Sequence, residues 1–266
     1  MPRPPRVYKT SAIVLRQRRL GDADKIVTLY SANFGKLDAV AKGVRRLKSR
    51  LAGHVEPLTH GSYLVARGRN LDIITQAQTI ETFQPLRDGL DRLSRALYVA
   101  ELVDRSTEER AENFAIYRLL LDTLRRLAEH DQLDLVVRLL EMALLEELGY
   151  RPELERCVVC GGSLAGAANA WSAGAGGVVC LRCQPGENAA LRALSANALA
   201  AARLLQDGDF EAAVEAQLSP QIIGELERHL RDAIHHALDR DVRSAAFVDA
   251  VRRPRLWRTV RRASPR

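Results

Sequence analysis

Two periodicities divide the chain. Over the first 80 residues the apolar positions fall in short runs rich in Val, Ile, Leu, Thr and Tyr: Val7–Leu15, Lys25–Tyr30, Lys36–Ala41, Ser62–Ala66 and Asp72–Ala77. Between them stand Gly21-Asp22, Asn33-Phe34-Gly35 and Gly68-Arg69-Asn70, which is turn chemistry, so the pattern predicts five strands. Five short strands are too few for a large sandwich. A small closed or partly closed barrel removes the exposed edges at this size, and the OB-fold is the five-stranded member of that set. An SH3-like barrel or an open meander fits the same pattern.

From Asp88 to Gly149 the period becomes helical. Leu90, Leu93, Leu97 and Ala100 share one face; Ile116, Leu119, Leu120, Leu124 and Leu127 a second; Leu135, Val136, Leu139, Leu140, Ala143 and Leu144 a third. Short connections predict that these three helices pack as a bundle. Gly149 suits the position after the third helix, and Pro152 forbids its continuation. Helices resume over Ser195–Gln206, Asp209–Ala216 and Pro220–Asp239, with Ser195 as an N-cap and Pro220 at a first helical position. The expected architecture is therefore α+β and multidomain. A barrel occupies 1–80 and a helical domain 81–250, with a cysteine element inserted at 154–186. The tail 251–266 is basic and too poor in apolar residues to fold alone.

That element holds all four cysteines, as Cys157-x2-Cys160-x19-Cys180-x2-Cys183. The spacing is that of a four-thiolate zinc site. Ser163–Val179 is rich in Gly and Ala, with Trp171 and Val178-Val179 as its strand residues, so a metal would supply the stability that its few bulky side chains do not. Four thiolates leave no open coordination position, so the role expected of the zinc is structural. Paired disulfides fit a chain without an export signal poorly, and a lone redox pair lacks its βαβ context.

Charge changes the picture once it is divided. The chain has 266 residues and a formal charge of +7. Residues 1–80 hold 15 Lys and Arg against 5 Asp and Glu, residues 81–250 hold 18 against 28, and residues 251–266 hold 7 against none. All five lysines, Lys9, Lys25, Lys36, Lys42 and Lys48, lie in the basic head. Its densest run is Lys42 to Arg50, with Lys42, Arg45, Arg46, Lys48 and Arg50 and no acid; a second cluster, Arg16, Arg18 and Arg19, follows the first strand. Loop cations beside a barrel suit backbone phosphates, which need charge rather than sequence readout. Tyr30, Phe34 and Tyr63 are either stacking faces for unpaired bases or core residues of the barrel. In the acidic middle, Arg118, Arg125 and Arg126 are candidates to meet an acidic partner tail.

Catalysis finds no support. Gly174-Ala-Gly-Gly177 lacks the Lys and Ser/Thr of a P-loop, no His pair has metalloprotease spacing, and Glu146-Glu147 reads as a solvated helix edge. His229 and His236 read as packing or surface residues. No run approaches the roughly 18 apolar residues of a membrane span, and the N-terminus lacks the apolar region of a secretory signal. The expectation is a soluble, non-enzymatic protein that stays in the cell.

Residues of the head also carry a family likeness. Lys9-Thr-Ser-Ala-Ile-Val-Leu15, Gly21-Asp-Ala-Asp-Lys-Ile-Val27, Phe34-Gly-Lys36, Ala39-Val-Ala-Lys-Gly-Val-Arg45 and Ser49-Arg-Leu-Ala-Gly53 stand in order. They are followed by Leu102-Val-Asp104 and by Leu148-Gly-Tyr-Arg-Pro-Glu-Leu154 running into Cys157-Val-Val-Cys160. This series resembles the RecO family of bacterial recombination mediators, up to about Val251. The resemblance implies an N-terminal OB-fold, a helical domain and a structural Zn2+ held by Cys157, Cys160, Cys180 and Cys183. It implies binding of single- and double-stranded DNA, strand annealing, contact with the single-strand-binding protein SSB, and loading of RecA with RecR and in some settings RecF. Nucleoid association in the bacterial cytoplasm goes with that role. Carried over to this chain, Lys36, Lys42, Arg45, Arg46, Lys48 and Arg50 are the head positions for DNA contact. The residues alone leave open an RNA-binding protein of translation or transcription, or a zinc-stapled interaction adaptor.

Overall fold

The structure is a computed structural model that describes residues 6–164, 169–186, 190–238 and 242–252. Its N-terminal part is a closed barrel of β1 (Val7–Leu20), β2 (Asp24–Ser31), β3 (Gly35–Ala41), β4 (His60–Ala66) and β5 (Asp72–Glu81), in the order β1-β2-β3-β5-β4. All neighbours are antiparallel except β3 and β5, which pair in parallel over Ala39–Asp72 and Val40–Ile73. A short 3-10 turn (Ala52–Val55) separates β3 from β4. Five strands, this order and one parallel closure make the barrel OB-like and exclude the open meander.

β1 runs five residues beyond the strand expected from its apolar run. Its N-terminal half pairs with β4 and its C-terminal half with β2, across an irregularity between Val14 and Arg16. Arg16, Arg18 and Arg19 therefore lie in a strand rather than after one, because the ladder to β2 holds them where the alternation of apolar residues has stopped. Alternation before the bulge buries both faces. Ala12 and Val14 point into the barrel with Val27, Leu29, Leu37, Tyr63 and Val65, while Ile13, Leu15 and Tyr30 point out into the helical core. Tyr30 and Tyr63 are thus both packing residues, and Phe34 rests on Tyr8 with ring centroids 4.5 Å apart.

The helical half comprises α1 (Leu90–Ser106), α2 (Phe114–Glu129), α3 (Leu133–Glu147), α4 (Ala196–Gln206), α5 (Phe210–Glu215), α6 (Pro220–Leu238) and α7 (Arg243–Arg252). Asn113, Ser195 and Asp209 cap α2, α4 and α5 by accepting from backbone N–H groups three residues on. Gly149 adopts φ +81° where α3 ends, as its placement predicted. On α1 the buried side is Ala96, Val99, Ala100, Leu102 and Val103, whereas Leu90 is half exposed. Ala100 of the predicted stripe is buried and Leu93 and Leu97 pack partly buried against the same core; α1 buries further residues because α2, α3, α7 and the barrel surround it. α7 was not foreseen, and it takes in Val251 and Arg252; the rest of the expected tail, Trp257 included, lies outside the described residues.

The segment after α1 reaches back to the barrel. Glu109 bridges Lys36 in parallel, the Arg110 N–H donates to the Lys36 carbonyl at 2.7 Å, and the Arg110 guanidinium meets Asp72 at 2.8 Å. It covers the stretch of β3 that β5 leaves unpaired, where an open edge would otherwise offer unpaired backbone groups. The approach is close enough to demand glycine: a Cβ on Gly35 would stand 1.9 Å from the Ala111 carbonyl oxygen.

Candidate nucleic-acid interface and metal centre

Cations scattered in the sequence come together at one end of the barrel. In the ladders Arg19 stands opposite Lys25, and Lys25 opposite Ala41, so the far end of β1, the start of β2 and Lys42 lie abreast. The chain leaving β3 is docked onto the β1–β2 turn. Its Arg45 N–H donates to the Ala23 carbonyl at 2.9 Å, the Arg45 guanidinium to the carbonyls of Asp22 and Gly21, and the Gly43 N–H to the Asp24 carboxylate at 2.7 Å. Val44, between these clasps, is buried with the barrel core.

What remains outside is the charge. Arg19, Lys42, Arg46, Lys48 and Arg50 are exposed and, among the described residues, form no ion pair. Arg45 is exposed as well, its guanidinium held by carbonyl oxygens rather than by a carboxylate. Arg16, Arg18 and Lys36 are arranged differently. Arg16 meets Asp104 at 2.6 Å, Arg18 meets Asp38 at 3.3 Å, and Lys36, mostly buried, donates to the Asp104 backbone carbonyl and lies 3.4 Å from its carboxylate. Lys36 thus ties the barrel to α1. The loop before β5 adds two exposed arginines, Arg69, which the sequence marks only as turn chemistry, and Arg67, which no pattern singles out and which lies over the Tyr8 ring. Only their exposure distinguishes them, and a lone arginine beside Gly and Asn carries no sign of it.

The middle arginines are engaged within the fold. Arg125 chelates Glu81 and lies near Asp122, Arg118 pairs with Asp122, and Arg126 stacks over the Phe210 ring. Glu81 also reaches His60 at 3.1 Å, and His60 contacts the Ser11 hydroxyl at 2.9 Å, a serine–histidine–carboxylate succession. The Tyr117 hydroxyl stands 3.0 Å from Ser11 and 2.9 Å from His60, occupying the space a substrate would need. Burial pushes the His60 pKa down while Arg125 holds the Glu81 carboxyl below its usual range. The group is a seam between barrel and α2. His229 is buried against Trp171, a packing role.

The cysteines converge as the spacing predicts. All four Sγ atoms lie within 4.8 Å of one another, and Cys160 and Cys180 are 3.9 Å apart. Four sulfurs around one ion at about 2.3 Å would be separated by about 3.8 Å, so the set fits a tetrahedral metal. Two knuckles present them: the Gly161 N–H donates to the Cys157 carbonyl and the Cys183 N–H to that of Cys180. β6 (Asn169–Ser172), β7 (Gly177–Val179) and β8 (Arg192–Leu194) form a small sheet beside them, in the order β7-β6-β8. Burial opposes ionisation of Cys157, but backbone N–H groups of Cys180, Cys160 and Val159 outweigh it and bring its pKa down to about 6. Hydrogen bonds to Cys160 and Cys180 hold Cys183 up at about 12. A cation at the centre is what makes four thiolates compatible.

Comparison with known proteins agrees along the chain. Residues 6–83 match the family described as Recombination protein O N terminal, and residues 87–246 match Recombination protein O C terminal. A DNA repair protein RecO from Roseiflexus sp. (strain RS-1) is 44% identical over 247 residues, covering 93% of this chain and 87% of that protein. Proteins of the same description from Pelotomaculum thermopropionicum and Symbiobacterium thermophilum are 39% and 36% identical, covering 92% and 94% of this chain and 94% and 99% of their own lengths. No helix among the described residues is long and apolar enough to cross a membrane.

Proposed function

Because the chain belongs to the RecO family, whose role is DNA repair and recombination, we propose that it is a mediator that binds and anneals single-stranded DNA and helps load RecA onto SSB-coated strands together with RecR. The observation that carries this reading is the set of exposed, unpaired cations gathered at one end of the OB-like barrel. Arg19, Lys42, Arg45, Arg46, Lys48 and Arg50 hold phosphates there, so binding is salt-sensitive and nearly indifferent to sequence. Arg16, Arg18 and Lys36 lend field but make weaker contacts, since carboxylates already face them. Neutralising two strands at once lowers their mutual repulsion and lets complements pair without nucleotide hydrolysis.

The division of labour follows the charge. Residues 1–80 act as the DNA-binding head, while the acidic unit 81–250 suits the protein partners RecR and SSB, with RecF and RecA in the same pathway. The cysteine set 157, 160, 180 and 183 holds Zn2+, which when bound cross-links the hairpin and performs no chemistry. This role places the protein with the nucleoid in the bacterial cytoplasm. The barrel alone would accept RNA, and family membership favours DNA.

Strand annealing on SSB-coated complementary DNA, with and without RecR, tests the reading. The protein should accelerate pairing of coated strands, and raising the salt should abolish the effect. Annealing of bare strands only, or retention of RNA in preference to DNA of the same sequence, would overturn it.

A further inference from the structure

Among the large apolar side chains described, Leu47 alone stands wholly in water; the next most exposed, Leu181, is 61% exposed. Leu47 sits inside the cationic run, with Arg45 and Arg46 before it and Lys48 and Arg50 after. The segment is built rather than slack. Val44 is buried in the barrel core, Arg45 clasps the β1–β2 turn, and beyond the run Val55 is buried again with Leu51 packed beside it. Between these anchors the Ser49 N–H donates to the Arg46 carbonyl at 2.9 Å, so Leu47 and Lys48 are the corner residues of a hydrogen-bonded turn. Turn corners favour Pro, Gly, Asn, Asp and Ser, each for a backbone reason that leucine lacks. Full exposure also forgoes the burial for which leucine is ordinarily used. A turn of this kind tolerates leucine, but neither its hydrogen bonding nor core packing calls for one.

We propose that Leu47 is an apolar wedge that enters between neighbouring bases of a DNA strand held by the cations of its own turn. The proposal rests on the reading of this turn as DNA-binding. Cations on both flanks fix backbone phosphates, and the tip between them faces the bases. An aliphatic side chain at that point parts one base step and covers the exposed ring face, the use that minor-groove architectural proteins make of Leu, Ile and Met. Strands opened in this way present unstacked bases to a complement, which connects the wedge to annealing. An anionic lipid surface would also attract cations around an apolar tip. One leucine, however, offers far less apolar surface than a myristoyl chain, which by itself binds bilayers only marginally. Base insertion is the favoured use.

The test uses the full chain and an oligonucleotide carrying 2-aminopurine, whose fluorescence rises on unstacking. The unaltered protein should raise the signal about twofold or more at saturation, Leu47→Ala should lose most of that rise with an unchanged salt slope, and Leu47→Met should keep it. An undiminished rise with Leu47→Ala on saturated DNA overturns the wedge and leaves DNA binding by the turn intact. Absence of salt-sensitive DNA binding by the unaltered protein overturns both. Leu47-dependent sedimentation with phosphatidylserine vesicles, together with an unmoved 2-aminopurine signal, assigns the residue to a bilayer instead.

Discussion

The cationic turn and the cysteine cluster pose the same electrostatic problem and solve it in opposite ways. Each gathers groups of one sign into a small volume: five cations within residues 42–50, and four thiols whose sulfurs lie within 4.8 Å of one another. The turn leaves its charges in water, where the high dielectric and salt make their repulsion cheap and any counter-charge exchangeable. The thiols range from buried Cys157 through half-buried Cys180 and Cys183 to exposed Cys160, and their sulfurs lie close enough to share one bound cation as counter-charge. Spacing rather than exposure separates them: cations spread along an open turn leave room for an exchangeable anion, whereas four sulfurs this close fit one bound metal ion. Arg16 and Lys36 show a third outcome: met by Asp104, they join the barrel to α1.

The largest effect should come from removing the proposed zinc. Purified protein should carry about one equivalent of zinc, and Cys157→Ser or a strong chelator should strip it. Metal-binding energies in small zinc domains are on the order of 10 kcal/mol, so the cross-link weighs heavily even on a hairpin whose Trp171, Val178 and Val179 are buried in the helical core. Hydrogen exchange across β6 and β7 should then rise steeply while the barrel, with its separate core, stays protected. Substoichiometric metal in a protein with four free thiols and a protected hairpin would break the comparison at its structural end.

A smaller loss should follow at the exchangeable end. Combining Arg45→Ala, Arg46→Ala and Lys48→Ala removes three phosphate contacts, so the slope of log affinity against log salt for single strands should fall by about 2. At low salt the affinity itself should drop by roughly tenfold to a hundredfold, with little change in thermal stability. The pair Arg16→Ala with Arg18→Ala deletes two formal charges yet should barely move that slope, since Asp104 and Asp38 already face those arginines. Equal losses from both sets would show that total charge, rather than uncompensated charge, governs binding.

Such differences mark the limit of what the chain reveals before it folds. The barrel was legible because its turns announce themselves and its apolar runs alternate, and the cysteine cluster because four ligands at fixed spacing admit few uses. The polar half of β1 was not, since Arg16 to Leu20 is strand only by virtue of the ladder to β2. α7 escaped for a related reason: among its described side chains Val248 alone is fully buried in the core, and ion pairs hold it too, Arg231 to Asp249 and Arg252 to Glu227 and Asp134. Tyr30 and Tyr63 remained ambiguous because the same aromatic serves a stack or a core. Lys36 looked like its neighbours on the phosphate list until Asp104, 68 residues away, met it. Sequence exposes local pattern and ligand spacing; which charges are already answered depends on long-range pairing.

The smallest effect concerns an answered charge at the seam between barrel and helices. Asp72 is almost wholly buried, accepts from Tyr8 at 2.5 Å and from the Gly68 N–H, and faces Arg110 at 2.8 Å. Burial alone would raise its pKa, but those donors outweigh it and hold the carboxyl below its usual 3.8. A carboxyl depressed by folding stabilises the native state above its unfolded pKa, and that contribution is lost as pH falls through the lower, folded value. Unfolding midpoints followed downward from about pH 5 should therefore decline in the unaltered protein, and Asp72→Asn should flatten part of that decline while lowering stability modestly at neutral pH. Above pH 5 the two proteins should run parallel, because Asp72 stays ionised in both folded and unfolded chains. Since Arg110 is partly exposed, salt should shrink the difference, though less than it shrinks DNA binding at the open turn. An acid limb identical in the two proteins would mean that Arg110 and Tyr8 leave Asp72 no more ionised than water does, and the seam would then owe its hold to the backbone bridge at Lys36 and Glu109.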